Sequence, residues 1–270
     1  MMKENKIREM LKSGASTVST RLWSTWPGYL EALGNIGEYD YFEFVAEYVP
    51  FSQEDLANLA RAAELYNMGS MIKVDFMNRG YVAQRAIAAG FQSVLFSDHH
   101  TAKEVRETVN MVKPEGPNSD GHFGYPNARF IGMQSHIPCL DHVERLKDIV
   151  LCFMIEKQSA VDEIEEICSI EGVDMVTFGA NDYCITRGWN PAEHKSEWLE
   201  AERYVYETAL KHGVQPRAHI DCAEQMDYYL DMGVRHFCIG DQMKILKNYW
   251  SDQRQMITEK LSLLGEKQKK

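Results

Sequence analysis

Nine side chains able to bind, charge or stack stand at or just past the ends of short apolar runs: Trp23, Glu47, Lys73, Asp75, Asp98, Glu156, Asp182, His219 and Asp221. Six of them are carboxylates, and carboxylates gathered at one place without a counter-charge are costly. A divalent cation is the economical remedy, and oxygen ligands favour Mg²⁺, Mn²⁺ or Co²⁺ over zinc. Singly, each has a plainer reading. Asp221 fits as the N-cap of a helix starting near Ala223, and Glu156 as the ion-pair partner of Lys157 or of a lysine on a neighbouring strand. His99 and His100 directly follow an apolar run, and His122 stands in a long irregular segment. His194 and His212 flank a helical stretch and read as solvated.

The elements that must deliver these residues alternate from end to end. Runs with strand character cover 17–23, 39–47, 70–75, 93–98, 150–156, 174–179, 214–220 and 235–240. Helix-period segments follow over 27–36, after the N-cap Ser52, and over 81–89, 101–112, 142–148, 160–170, 197–211, 223–232 and 244–261. Eight strand–helix units predict a single (β/α)8 TIM barrel spanning 1–270, with active groups at the C-terminal ends of the strands. Residues 113–141 break the alternation, carrying four of the eight prolines and four glycines. A segment this long and irregular is expected to be functional, and we place it over the barrel mouth as an active-site loop. The C-terminal EKQKK reads as frayed and solvated.

Composition narrows the class. The chain has 270 residues, 44% of them hydrophobic, and a formal net charge of −11, which excludes a phosphate-backbone binder. No apolar run is long enough for a transmembrane helix, and the charged start MMKENKIREMLKSG lacks the apolar stretch of a secretory signal. A cytoplasmic location is the expectation. The six cysteines show no CxxC spacing and are expected to be free, as small buried hydrophobes.

Two segments carry more information than any single residue: VLCFMIEK at 150–157 and GVDMVTFGANDYC at 172–184. Together with RLWS at 21–24, EYDYFEFVAEYVPFS at 38–52 and IKVDFMN at 72–78, they resemble the HpcH/HpaI aldolases, class II pyruvate aldolases. The resemblance implies a barrel of the phosphoenolpyruvate/pyruvate-domain type. It implies metal ligation by Glu156 and Asp182, and receipt of a pyruvate carboxylate at the backbone of Gly179, Ala180 and Asn181. It further implies homo-oligomers, trimers of dimers that exchange the terminal helix. The expected partners are a small 2-oxo acid and an aldehyde, with neither nucleic acid nor membrane.

The departures from that pattern concern the groups around the metal. Tyr48 stands where the family carries a proton-transferring histidine, Lys73 where it carries a keto-polarising arginine, and Met154 where it carries a glutamine. The loop motif with Arg-Gly becomes NSDGHFG at 118–124. Lysine keeps the charge of arginine and loses its fork, and an ordinary phenol is a poor base at neutral pH. The expected catalytic set is therefore Lys73, Glu47 and Tyr48. Trp23, His99 and His122 join Gly179, Ala180 and Asn181 in binding substrate. The expected reaction is reversible carbon–carbon cleavage of a 4-hydroxy-2-oxo acid. The alternatives are another lyase, condensation or decarboxylation at the same site, a Schiff-base route through Lys73, or a non-catalytic 2-oxo-acid-binding barrel.

Overall fold

The computed structural model describes residues 4–126 and 128–267. Helix α1 (Lys6–Ser13) precedes a chain of alternating elements: β1 (Thr17–Leu22), α2 (Gly28–Ile36), β2 (Tyr41–Val45), α3 (Gln53–Leu65), β3 (Gly69–Val74), α4 (Arg79–Ala89), β4 (Ser93–Phe96) and α5 (Ala102–Val112). A two-residue hairpin follows, β5 (Glu115–Gly116) and β6 (Ser119–Asp120). Then come α6 (Cys139–Lys147), β7 (Val150–Ile155), α7 (Gln158–Asp162), α8 (Ile164–Cys168), β8 (Met175–Phe178), α9 (Ala180–Arg187), α10 (Lys195–Lys211), β9 (Gln215–Ile220), α11 (Met226–Met232), β10 (His236–Asp241) and α12 (Gln242–Lys267). The sheet closes in the order β1-β10-β9-β8-β7-β4-β3-β2, and its strand pairs are parallel. This is the (β/α)8 barrel expected. Among the described residues, no helix is long and apolar enough to cross a membrane.

Local chemistry explains the starts of α3 and α5. Ser52 and Thr101 each accept from the third backbone N–H of their helix, while Asp55 and Glu104 reach back to the cap. At the N-terminal end of the barrel α1 acts as a plug. Ile7 is buried there against Gly69, whose missing Cβ would lie 2.7 Å from the Ile7 side chain. Arg8 clamps the plug with two hydrogen bonds to Asp174, at 2.6 and 2.7 Å.

Followed round the closed sheet, the pairings stack inward side chains in tiers of four drawn from alternate strands. Ser19, Met71, Cys152 and Arg217 form one tier. Glu43, Leu95, Thr177 and Cys238 form the next, and Arg21, Lys73, Met154 and His219 form the floor of the mouth. The interior has two halves. Met71, Leu95, Cys152, Met154 and Met175 make an apolar cluster on β3, β4, β7 and β8. Ser19, Tyr41, Glu43, Arg217 and His219 fill the side of β1, β2 and β9 with a charged, hydrogen-bonded network.

Residues 113–141 do not cover the mouth. The segment follows a helix rather than a strand, and α5 has already carried the chain back to the N-terminal end of the barrel. It is pinned there: the His122 N–H donates to the Asn110 carbonyl at 2.8 Å. Arg129 donates to the Ala89 carbonyl at 2.8 Å and pairs with Glu64, both at helix C-termini. Tyr125 binds the Ile137 carbonyl at 3.1 Å, closing the loop on itself. Residue 127 of this segment, and 268–270 of the lysine-rich tail, lie outside the described residues.

Candidate active site

The mouth is assembled from strand ends. Glu156 follows β7 and is 2% exposed; its Oε1 accepts the Asp98 backbone N–H at 2.8 Å. Asp98 holds that N–H in place from a left-handed turn, φ 61°, which aspartate tolerates better than most residues. Burial raises the Glu156 carboxyl to about 7, helped by the nearby charges of Asp182 and Asp98 and opposed by Lys73. Gly179 passes so close that a Cβ there would lie 2.5 Å from Glu156 Oε2. Only glycine lets the β8–α9 turn approach that carboxylate.

Asp182 sits in the first turn of α9, half-buried, with no hydrogen bond or ion pair to its carboxylate among the described residues. Two nearby cations are already engaged. Lys73 pairs with Glu47, whose other oxygen accepts from Ser97 Oγ at 3.0 Å. Lys157 pairs with Asp98 at 2.6 Å, and this contact keeps its ammonium raised despite partial burial. That leaves Asp182 without an ion-pair partner among the described residues, its charge reaching Glu156 across the mouth, so that the two offer hard oxygen donors. They fit a divalent cation.

The rim is aromatic. Trp23 stacks on Tyr48 with ring centroids 6.2 Å apart, its indole N–H bonded to Asp241, and Lys73 Nζ lies 5.6 Å from the Tyr48 ring centre. Burial and the Glu47 and Asp182 charges raise the Tyr48 phenol well above its ordinary range, so it is a hydrogen-bond donor at neutral pH. Of the three N–H groups expected to receive a carboxylate, that of Gly179 is already bonded to the Ile155 carbonyl at 3.1 Å; those of Ala180 and Asn181, with Asp182, precede the first donor used within α9 and leave the helix an anion-binding end.

Two histidines expected here lie elsewhere. His99 is buried between β4 and α5 against Phe76, Phe96 and Phe153, with Nε2 2.7 Å from Thr108 Oγ1; burial lowers it to about 3. It is a neutral packing residue. His122 is at the far end of the barrel with the loop that carries it. Asp75 is occupied in binding Asn78, and Asp221 is an exposed partner of Lys244 at 2.6 Å rather than a helix cap.

The sequence reading missed Arg21, Glu43 and Arg217. Fully buried Glu43 lies 3.0 Å from Arg21 Nε and 2.7 Å from Arg217 Nη1, which holds its carboxyl well below the ordinary range. Period-2 alternation in TVSTRL and QPRAHI would have turned these arginines inward. Glu43, His219 and Cys238 offer converging ligand atoms, but two guanidiniums already occupy the carboxylate and would repel a cation.

HpcH/HpaI aldolase/citrate lyase sequences match residues 53–236. The chain belongs to the HpcH/HpaI aldolase/citrate lyase family. Membership makes it a carbon–carbon lyase. It is 27% identical to the 2-dehydro-3,6-dideoxy-6-sulfogluconate aldolase of Pseudomonas putida, over 88% of this chain and 91% of that one. An HpcH/HpaI aldolase from Desulfitobacterium hafniense DCB-2 superposes with a TM-score of 0.85 at 23% identity, covering 95% and 98% of the two chains. The citrate lyase beta subunit of M. tuberculosis, complexed with oxaloacetate and magnesium, shares the fold at a TM-score of 0.58 and 12% identity, over 87% and 96% of the chains.

Proposed function

We propose that this lyase is a divalent-metal-dependent aldolase, holding Mg²⁺ or a similar ion through Glu156 and Asp182. It would reversibly cleave a 4-hydroxy-2-oxo acid to pyruvate, or a like 2-oxo acid, and an aldehyde. One observation carries the reading. Lys73–Glu47 and Lys157–Asp98 are closed ion pairs, while the Asp182 carboxylate has no hydrogen bond or ion pair among the described residues and its charge reaches buried Glu156. When bound, the cation supplies Lewis acidity for the charge that develops on the 2-oxo oxygen.

The chain's own groups do the rest. The α9 N-terminus receives the 2-oxo acid carboxylate, oriented by the helix's partial positive charge. Lys73 faces the keto oxygen from the floor, seated by Glu47, which Ser97 fixes in turn. Tyr48, held protonated, donates to the oxygen of the departing or incoming aldehyde. Trp23 supports the Tyr48 ring.

The test is hydrogen exchange at the pyruvate methyl group, followed by NMR in D₂O with Mg²⁺, Mn²⁺ or Co²⁺, beside an aldol assay with a panel of aldehydes. Metal-dependent exchange with aldol product is expected. Exchange without product assigns the site to another reaction of the same intermediate. Pyruvate binding without exchange leaves a non-catalytic barrel, and failure to bind any of the three ions overturns the metal reading.

A further inference from the structure

Trp23 is held by a part of the chain that the chemistry above does not use. It stands one residue beyond the end of β1. Its backbone N–H donates to Gln242 Oε1 at 2.8 Å, and its indole N–H donates to Asp241 Oδ2. Both N–H donors of this one residue therefore end on successive residues at the β10–α12 junction. Oδ1 of the same Asp241 accepts the backbone N–H groups of Met243 and Lys244, at 3.1 and 3.2 Å, and so caps α12. Capping needs that oxygen alone. The other oxygen, and the buried side chain of Gln242, are turned to Trp23.

The backbone of β10 explains the aim. Ser19 pairs with Cys238 and Arg21 with Asp241, so β10 takes three steps where β1 takes two, which makes a bulge. Gly240 sits in it at φ 70°, in the left-handed region that glycine enters freely. Ile245 of α12 closes over that glycine, its Cδ1 2.7 Å from where a Cβ would lie. A bulge at a barrel rim re-aims the side chains that follow it, and here those are Asp241 and Gln242.

The consequence falls on Tyr48. It is 63% exposed, and its ring stacks on Trp23 with an interplanar angle of 13°. So open a side chain samples several rotamers unless a neighbour holds it. Trp23 gives it one face to lie on, and that face is only as fixed as Trp23 itself.

We propose that Asp241 and Gln242 are positioning residues for the lyase reaction. They hold Trp23 so that its indole sets the Tyr48 hydroxyl against the aldehyde oxygen, and through Asp241 the start of α12 is tied to the same task. This rests on the reading of Tyr48 as the proton donor in carbon–carbon cleavage.

Two reactions of the same site separate positioning from support of the fold. Deuterium exchange at the pyruvate methyl does not call on Tyr48, whereas cleavage of 4-hydroxy-2-oxopentanoate to pyruvate and acetaldehyde does. Both are followed on the full chain with Mg²⁺, beside a melting curve for each variant. Gln242→Met removes the acceptor at similar length. Its kcat for cleavage is expected to fall about 100-fold, the cost of an ångström's misplacement, with KM and exchange at parental levels. Asp241→Asn should lower kcat in the same direction, and Gln242→Glu, which keeps an acceptor, should recover most of it. In a Tyr48→Phe background Gln242→Met should cost nothing further, because both changes remove one contribution. Parental cleavage by Gln242→Met, an equal loss of exchange and cleavage, or full additivity with Tyr48→Phe each overturns the proposal. Parental cleavage by Tyr48→Phe, or exchange without cleavage in the unaltered chain, removes instead the reading of Tyr48 on which it rests.

Discussion

Glu156 and Gly179 constrain each other's identity. The carboxylate occupies the space a Cβ would need, and the glycine's backbone brings α9, with Asp182, within reach of it. Gly179→Ala should therefore displace the carboxylate, costing about 1–3 kcal/mol of stability and weakening Mg²⁺ binding some 10- to 100-fold. Calorimetric metal titration beside thermal melting checks both. Asp182→Asn makes the contrasting case. It should abolish metal binding and pyruvate exchange, yet leave the metal-free melting temperature level or slightly raised, because it removes a like charge facing Glu156. A fall of several degrees would show that Asp182 is structural. At this scale the sequence was legible where strand-end position alone decides: Glu47, Lys73, Glu156 and Asp182 meet. It was misleading where position in the turn decides. His99 is one residue beyond left-handed Asp98, and that turn aims its ring back into the core.

The elements repeat the lesson with different causes. Eight strands were readable because each is a short β-branched or aromatic run bounded by turn residues. Helix α9 was not: it starts directly on Gly179 without a side-chain cap, and its buried residues are only Tyr183 and Cys184. The stretch read as one helix over 160–170 is two, α7 and α8, parted at Glu163, whose carboxylate binds the Ala102 N–H at 2.6 Å. The 113–141 segment lies at the N-terminal end of the barrel and not over the mouth because it follows helix α5 and not a strand, a difference its irregular composition does not reveal. Helix α10 supplies a prediction of its own. Glu202 is 5% exposed, bonded by Tyr229 at 3.2 Å, and burial raises it to about 7. Its folded value lies above its unfolded one, so the folded state takes up a proton. Stability from this group is full below about pH 4.5 and is lost as pH rises to about 7. The loss is of order 3 kcal/mol. Urea titrations of Glu202→Gln should show that slope removed, and a slope identical to the parent's would refute the protonated assignment.

For the whole molecule the open question is set by α12. Twenty-six residues make a helix about 39 Å long, far beyond the strand ends that anchor it. It is anchored near its start, where Gln242 Oε1 accepts the Trp23 N–H at 2.8 Å. Beyond that, Met243, Ile245, Tyr249, Trp250, Met256, Ile257, Leu261, Leu263 and Leu264 are all exposed, Trp250 at 61%. A single helix has no reason to remain folded in water with so much apolar surface bare, because most helical stability in proteins comes from packing such a face. The family resemblance implies an assembly that exchanges this helix, and we propose that the exposed face is buried in such an exchange. Light scattering should give a mass that is a multiple of 31.1 kDa. Truncation after Leu246 keeps the Trp23 anchor and removes the projecting face, so it should reduce the mass to one chain while leaving the barrel folded by circular dichroism. Trp250→Glu should weaken assembly in the same direction, by about 2 kcal/mol or more per interface if the ring is buried there. A monomeric parent protein, or a truncated chain that keeps its multiple mass, would place the subunit contacts elsewhere on the barrel.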